Sequence, residues 1–255
     1  MELRVIATGS KGNAYALVSE SGDMLLLECG VPLKDVLRAV GWQLGRVVGV
    51  LLTHEHGDHA AYVRDYLRAR LRVYTGAGTI EAVCERWSVK RYERSMLVAC
   101  QSGVEVSALR AGFRVIPFGV EHDAREPMGF LVRHEECGTL LFATDTYFIR
   151  PRFGRLDNVL IECNYQDDVL SENVSEGLIP FALLKRLEES HMSEENCRLF
   201  LSGCRLEGCR NIVLIHMSSG NCDPERARRS VELETGVRTV VARAGLRVPL
   251  DATPF

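Results

Sequence analysis

Short apolar segments, separated by turns and by amphipathic stretches, follow one another along the whole chain. In the first part, apolar runs of four to six residues predict strands, and stretches with helical spacing predict helices. The predicted strands are Leu3–Ala7, Ala14–Ser19, Met24–Glu28 and Val47–Leu52, and the predicted helices are Pro32–Val40, Asp58–Arg70 and Thr79–Trp87.

The second part of the chain repeats this scheme. The predicted strands are Glu105–Leu109, Phe113–Phe118, Gly129–Arg133, Thr139–Ala143, Asn158–Glu162, Asn211–Ile215 and Arg238–Ala242, and helices are predicted within Val169–Glu189 and at Glu194–Ser202 and Pro224–Glu234. Strands followed by helices, twice, predict an α/β (α+β) fold, in which two sheets pack face to face with helices outside as an αββα sandwich. We expect one domain over residues 1–255, made of two pseudo-repeated halves at roughly 1–100 and 101–255.

Composition is that of an ordinary soluble domain, with 46% hydrophobic and 25% charged residues. No run of about 18 apolar residues occurs, which predicts no membrane span. The first residues, MELRVIATGSKGN, do not form a secretory signal, so we expect a cytoplasmic protein. The nine cysteines include no CxxC pair and are predicted to be reduced, mostly as small hydrophobic residues. The sequence leaves the oligomeric state open.

The strongest chemical signal is Thr53-His54-Glu55-His56-Gly57-Asp58-His59, which directly follows a predicted buried strand. Side chains two positions apart on an extended segment face the same way, so His54 and His56 can hold one metal ion together. Asp58 and His59 lie where the chain turns into a helix, and they can reach a second ion. Asp58 could instead cap that helix.

Three further candidate ligands each follow an extended apolar segment: His122, Asp145 and His216. A buried carboxylate at a strand end is costly unless it is paired or metal-bound, which makes Asp145 a good bridging ligand. His122 and His216, each taken alone, could equally be core histidines, but the HxHxDH loop favours ligand roles. His134, beside Glu135 and Glu136, is predicted to be a surface histidine.

Together these motifs resemble the metallo-β-lactamase superfamily, and within it the YycJ/WalJ-like group. The resemblance rests on segments between residue 9 and about residue 229: GSKGN at 9–13, ECG at 28–30, THEHGDH at 53–59, EHDAREPMGF at 121–130, ATDT at 143–146, LIECNY at 160–165, HMSEEN at 191–196 and HMSSGN at 216–221. HxHxDH by itself is typical only of the superfamily, whereas the whole set indicates the narrower group.

The resemblance implies a dinuclear metal site. It implies one ion on His54, His56 and His122, a second on Asp58, His59 and His216, and Asp145 bridging the two. Zn²⁺ is favoured by the three imidazoles and the carboxylates, with Mn²⁺ or Fe as alternatives. His-Met-Ser occurs at both His191 and His216, so either could be the ligand of the second ion; the strand before His216 favours His216.

The resemblance also implies catalytic and supporting residues around the two ions. Glu162 and His191 are expected near the site, His191 as a general acid paired with Glu162, which could instead be a structural acid. Asp58 and Asp145 would hold a metal-bridging hydroxide as the nucleophile. Glu28 stands where the family usually has Asp, and it is expected to orient a histidine ligand from behind. Glu194 likewise replaces the family's usual Asn after His-Leu-Ser.

The resemblance implies a phosphodiesterase, with a 5′ exonuclease on DNA favoured. Only 23 positions separate His122 from Asp145, and 71 separate Asp145 from His216, which leaves no room for the long tRNA-gripping arm or the large cap domain of related nucleases. Ser10, Asn13 and Ser218 could hydrogen-bond a phosphate.

Charge does not settle the substrate. The net charge of −3 is unusual for a nonspecific nucleic-acid binder, although arginine outnumbers lysine by 27 to 4. Two groups of arginines could flank a groove for a nucleic-acid backbone: Arg64, Arg68, Arg70 and Arg72 in the first part of the chain, and Arg226, Arg228 and Arg229 in the second. The alternative is that these arginines belong to solvated helix faces. A thioesterase or lactonase with a small acyl substrate would carry the same ligands, and a non-catalytic metal-bearing binding protein is the remaining alternative.

Overall fold

The computed structural model describes residues 1–106 and 109–252, which form two β-sheets with helices on their outer faces. The strands are β1 Glu2–Ala7, β2 Ala14–Val18, β3 Met24–Leu27, β4 Val47–Leu51, β5 Val73–Gly76, β6 Leu97–Cys100, β7 Arg114–Gly119, β8 Met128–His134, β9 Gly138–Ala143, β10 Asn158–Glu162, β11 Asn211–Ile215, β12 Thr239–Val241 and β13 Arg247–Pro249. The helices are α1 Leu33–Ala39, α2 Gly57–Ala60, α3 Val63–Arg68, α4 Ala77–Trp87, α5 Arg91–Arg94, α6 Asp167–Ser175, α7 Phe181–Ser190, α8 Glu194–Ser202 and α9 Pro224–Thr235, with a short 3₁₀ helix at Leu44–Arg46.

The two sheets have related topologies. One has the order β13-β1-β2-β3-β4-β5-β6, and the other has the order β12-β11-β10-β9-β8-β7. In each, an antiparallel group, β1–β3 or β7–β9, continues into parallel strands. The pairing of β13 with β1 brings the C-terminal part of the chain back to the first sheet.

The strands are apolar on both faces because each sheet packs against its partner on one side and against helices on the other. Alternate residues of β3 show this, since Leu25 and Leu27 enter the core between the sheets whereas Met24 and Leu26 enter the core beneath the helices. The core between the sheets draws on both halves of the chain. The predicted αββα sandwich is therefore confirmed, while the single domain over residues 1–255 stays a prediction.

Some local predictions were wrong. The predicted helix Asp58–Arg70 is two helices, α2 and α3, because the Tyr62 amide donates to the Cys29 carbonyl (3.0 Å) rather than continuing the helical ladder. β5, β6 and β13 were missed. Within the predicted strand Glu105–Leu109, residues 107 and 108 lie outside the described residues, and the others are in no strand.

His134 is buried rather than on the surface. Its Nε2 pairs with the Ala111 carbonyl at 3.1 Å, and its ring packs on Phe113. The sequence suggested exposure because Glu135 and Glu136 follow His134. In the structure His134 is the last residue of β8, and its imidazole packs beneath the loop at residues 110–113. Within the described part of the chain, no helix combines the length and apolar character needed to cross a bilayer.

Candidate active site

The candidate site lies where several strands end at the same edge of the two sheets. Three of its acidic or imidazole residues have positive φ angles: Glu28 (70°) after β3, Asp145 (46°) after β9 and His216 (52°) after β11. Side chains other than glycine pay roughly 1–2 kcal/mol for this conformation. Such residues at three strand ends turn their side chains toward one centre, and this strain is typical of a functional site.

The loop after β4 supplies most of a first cluster, defined here as His54, His56 and His122. Their candidate ligand nitrogens lie within 4.8 Å of one another. His54 Nδ1 is 3.0 Å from the Thr53 hydroxyl, and His122 Nδ1 is 2.7 Å from the Ser190 carbonyl. Each bond fixes one ring nitrogen and leaves Nε2 facing the cluster, as in histidine–metal sites where the second nitrogen is hydrogen-bonded.

A second cluster consists of Asp58, His59, Asp145 and His216, again with ligand atoms within 4.8 Å. Asp58 Oδ2 lies 3.3 Å from His59 Nε2 and 3.1 Å from His216 Nε2. Asp145 connects the clusters: its Oδ1 is 3.2 Å from His59 Nε2, while its Oδ2 is 3.8 Å from His122 Nε2. One carboxylate thus presents one oxygen to each cluster, which is the arrangement expected of a bridging ligand.

Interlocked loops hold the second cluster in position. The Asn13 amide donates to the Asp58 carbonyl (2.8 Å), and the Cys29 amide donates to the His59 carbonyl (2.7 Å). The Asn13 side chain also reaches His59 Nε2 at 3.2 Å, and the buried Glu28 Oε1 lies 3.5 Å from His59 Nδ1. Glu28 therefore lies behind His59, although its side chain is one methylene longer than the family's usual Asp.

Glu162 and His191 form a pair beside the clusters. Glu162 Oε1 is 2.7 Å from His191 Nδ1 and 3.0 Å from His216 Nδ1. Its other oxygen accepts from the Thr146 and Met192 amides, which fixes the carboxylate. Since the Glu162 bond to His216 leaves Nε2 of that ring toward Asp58, the geometry favours His216 as the ligand. The alternative, in which His191 is a ligand of the second ion, stays open. Four residues also have ligand atoms within 4.8 Å of one another: Asp145, Glu162, His191 and His216.

The buried charges shift the pKa values of these groups in opposite directions. Burial, reinforced by His59, holds the pKa of His54 well below its usual value, so that imidazole is neutral. Burial also opposes protonation of His216, but the Asp145 carboxylate and the bond to Asp58 outweigh it and raise its pKa to about 10. Burial likewise disfavours charged Glu162, yet His191 lowers the pKa of that carboxyl, and Glu162 raises the pKa of His191 in return.

These residues fit divalent cations. The buried carboxylates of Asp145 and Glu162 carry negative charge that needs compensation, and Glu28 Oε1 and His54 Nε2 are fully buried without a hydrogen-bond partner. Imidazole nitrogens with carboxylate oxygens are the donors that divalent transition metals prefer. The two clusters are therefore a candidate site for two divalent metal ions.

A cleft of about 420 Å³ opens above the clusters. Of the residues predicted to bind substrate, Ser10 lines it. Asn13 is buried and contacts Asp58 and His59, and the Ser218 hydroxyl accepts from the Gly220 and Asn221 amides instead of lining the cleft.

The two arginine groups considered from the sequence also lie away from the cleft. Arg64 and Arg68 pair with Glu93, and Arg70 and Arg72 line a separate depression beside the start of β4. Arg226, Arg228 and Arg229 pair with acidic residues of α6 or α9. For these residues, the solvated-surface interpretation agrees better with the structure.

Several functional candidates were missed from sequence. Thr53 was part of the quoted motif, yet its contact with His54 Nδ1 was not inferred. Asn164, two residues after Glu162, donates to Glu162 Oε1 (3.3 Å) and to the His216 carbonyl (2.8 Å). Arg86 and Arg186 line the cleft, but no local pattern distinguishes them from other helical arginines.

Comparison with known proteins identifies related sequences. A sequence profile of the beta-lactamase superfamily domain matches residues 27–217. The chain is 26% identical over 244 residues to the exodeoxyribonuclease YycJ of Bacillus anthracis, covering 91% of this chain and 88% of that protein. It is 24% identical over 257 residues to the exodeoxyribonuclease WalJ of Streptococcus pneumoniae, covering 97% of this chain and 90% of that protein.

Solved structures show the same fold at low sequence identity. The metallo-beta-lactamase fold protein YhfI from Bacillus subtilis superposes with a TM-score of 0.73 at 16% identity, over 97% of this chain and 98% of that one. A likeness at this identity concerns the arrangement of strands and helices, and it agrees with the two-sheet sandwich described above.

Proposed function

Since the chain belongs to the metallo-β-lactamase superfamily, we propose that it is a metal-dependent phosphodiesterase that cleaves nucleic acid, with DNA as the favoured substrate. The resemblance to the YycJ/WalJ-like group is confirmed by relatives that align with more than nine tenths of the chain. The observation that carries the proposal is Asp145, whose two oxygens face two separate ligand clusters.

We propose that the first cluster and the second cluster each hold one Zn²⁺ ion, with Asp145 shared between them. Three imidazoles with few carboxylates favour zinc over the harder Mg²⁺. When bound, the ions would supply Lewis acidity toward a phosphoryl oxygen and lower the pKa of coordinated water toward about 7. Asp58, which is half-buried and lines the cleft, would accept a hydrogen bond from the attacking water.

The surroundings of His191 support a role for this residue as general acid. Its Nδ1 is bonded to Glu162 Oε1, so the pair stabilises the protonated imidazole, and its ring lines the cleft. Within the described residues, no hydrogen-bond partner occupies its Nε2, which leaves that atom available to donate a proton to a leaving oxygen. Glu162, held by two backbone amides, keeps the ring oriented toward the cleft.

The shape of the cleft favours a phosphodiester over a small acyl substrate. A thioesterase or lactonase would need a largely apolar pocket for its acyl chain. Here the cleft lies at the surface, and its lining is mostly polar or charged; Leu183 and Leu187 are its apolar side chains within the described chain. Arginine and serine donors suit phosphate oxygens.

The proposal is tested by turnover of the Zn²⁺-loaded protein on 5′-labelled DNA, 5′-labelled RNA, bis(p-nitrophenyl) phosphate and a panel of thioesters. We expect cleavage of DNA and of the small diester, with nucleotides released from the 5′ end in a time course. Mn²⁺-loaded protein, assayed in parallel, tests the choice of metal.

Two variants accompany the wild-type chain. Asp145→Ala should remove phosphodiester cleavage, whereas Asp168→Ala should retain it, because Asp168 lies on α6 and pairs with Arg226 outside the cleft. Hydrolysis of thioesters with no cleavage of any phosphodiester would contradict the proposed function. Metal binding without turnover of any of these substrates would favour a non-catalytic role.

A further inference from the structure

Two helices contribute side chains to the rim of the cleft. The last turn of α4 contributes Arg86, and α7 contributes Leu183, Arg186 and Leu187. The α7 residues recur at helical spacing, so they share the face of α7 that lines the cleft. The carbonyl of Ser190, where α7 ends, is hydrogen-bonded to His122 Nδ1, and this contact connects α7 to the first cluster.

Arg86 is an exposed cation that no acidic side chain neutralises. None of the carboxylates in residues 1–106 and 109–252 lies within ion-pair distance of it, and its guanidinium instead packs 5.1 Å from the Trp87 ring centre. Its Nη2 lies 3.8 Å from the point where a Cβ on Gly57 would stand. Because Gly57 separates His56 from Asp58 and has no side chain, the guanidinium borders the metal-ligand loop directly.

Arg186, on α7, is comparably available. Its Nε lies 3.4 Å from Asp123 Oδ2, with both side chains largely exposed. Such an exposed contact contributes little, typically below about 1 kcal/mol, so the two terminal nitrogens remain free for a ligand. By contrast, Arg125 forms an ion pair with Glu85 of α4 at 2.9 Å and does not line the cleft.

We propose that Arg86 and Arg186 bind substrate phosphates next to the phosphodiester being cleaved, and that Leu183 and Leu187 contact an adjoining nucleoside. This inference rests on the proposed function and specifies its substrate class: an extended oligonucleotide rather than an isolated small diester. Guanidinium groups bind phosphate oxygens in a bidentate manner, and two of them lining the cleft would hold a nucleic-acid backbone beside the metal-ligand residues.

The test compares two substrates of the Zn²⁺-loaded protein, a 5′-phosphorylated single-stranded oligodeoxynucleotide and bis(p-nitrophenyl) phosphate. Arg86→Ala and Arg186→Ala should each raise KM for the oligonucleotide by about tenfold, which corresponds to about 1.4 kcal/mol. The loss in kcat/KM should be at least fivefold smaller for the small diester. In a plot of the logarithm of the oligonucleotide binding constant against the logarithm of the salt concentration, each variant should have a slope smaller in magnitude by about one, because one contact between a cation and a phosphate is lost.

Arg229→Ala is the matched control, because Arg229 is an exposed helical arginine that pairs with Glu225 away from the cleft. It should cleave both substrates like the wild-type chain. If Arg86→Ala and Arg186→Ala match this control on the oligonucleotide, the inference is overturned while the proposed function stands. Equal losses on both substrates would also overturn it, since the arginines would then act on the reaction centre. A wild-type chain inactive on both diesters would overturn the proposed function itself.

Discussion

Gly30 provides a sharp test of how the interlocked loops support the site. A Cβ on Gly30 would stand 1.8 Å from the Asp58 carbonyl oxygen and 2.5 Å from the Asn13 nitrogen, although Cβ atoms essentially never approach such neighbouring atoms below 3.0 Å. Gly30 does not have a positive φ, so replacing it with alanine tests steric contact rather than backbone torsion. Both neighbouring atoms belong to backbone, which cannot rotate away.

The expected cost follows from the hydrogen bonds at this contact. Moving Asp58 by about 1.2 Å to relieve the overlap would stretch the bond from the Asn13 amide to its carbonyl, now 2.8 Å, beyond hydrogen-bond range. The bond from the Gly30 amide to the Asn13 carbonyl (3.0 Å) shares this contact. Overpacking costs about 1–3 kcal/mol, and each lost buried bond costs about 1 kcal/mol more. Gly30→Ala should therefore destabilise the chain by about 2–5 kcal/mol.

Urea unfolding measures this loss, and elemental analysis with turnover of bis(p-nitrophenyl) phosphate measures its effect on the site. Because Asp58 and His59 must shift, we expect metal content below two ions per chain and activity reduced by more than about 100-fold. Gly154→Ala is the control, since Gly154 has open space around it and no positive φ; its unfolding free energy should stay within about 0.5 kcal/mol. Gly30→Ala with wild-type metal content and stability would refute the reasoning.

The remaining predictions concern the ligands themselves. Asp145→Ala should reduce turnover by more than about 100-fold while circular dichroism stays native-like; activity within tenfold of wild type would rule out a shared carboxylate. His191→Ala should keep full metal content but slow diesters with poor leaving groups by about 10²–10⁴-fold; loss of one metal equivalent would instead exchange its role with that of His216. Chelation should abolish turnover. Because the pKa of His216 is raised to about 10 without metal, ion binding must displace its proton, so affinity should fall as pH falls. Calorimetry in buffers of different ionisation enthalpy should detect the released proton, and no release would contradict this.

Local sequence determined much of this protein. The strand β3, whose alternate residues enter different cores, and the apolar runs before His54, Asp145 and His216 are predicted from side-chain period and hydrophobicity, which neighbouring residues encode. The ligand residues could be named because the HxHxDH loop follows one such segment and His122, Asp145 and His216 each come after another. Three strands of the first sheet, β5, β6 and β13, were missed, because a run of three or four residues is too short for periodicity alone to distinguish a strand reliably.

Tertiary structure alone decided how those residues act together. Glu162 contacts both His191 and His216, and Asp145 divides its oxygens between two clusters, because packing of the two sheets brings distant strand ends to one edge. Arg86 and Arg186 resemble any other helical arginine until that packing brings both to the cleft. Sequence period specifies which face of an element is buried, whereas contacts between elements depend on the positions of all the layers, and no local pattern carries that information.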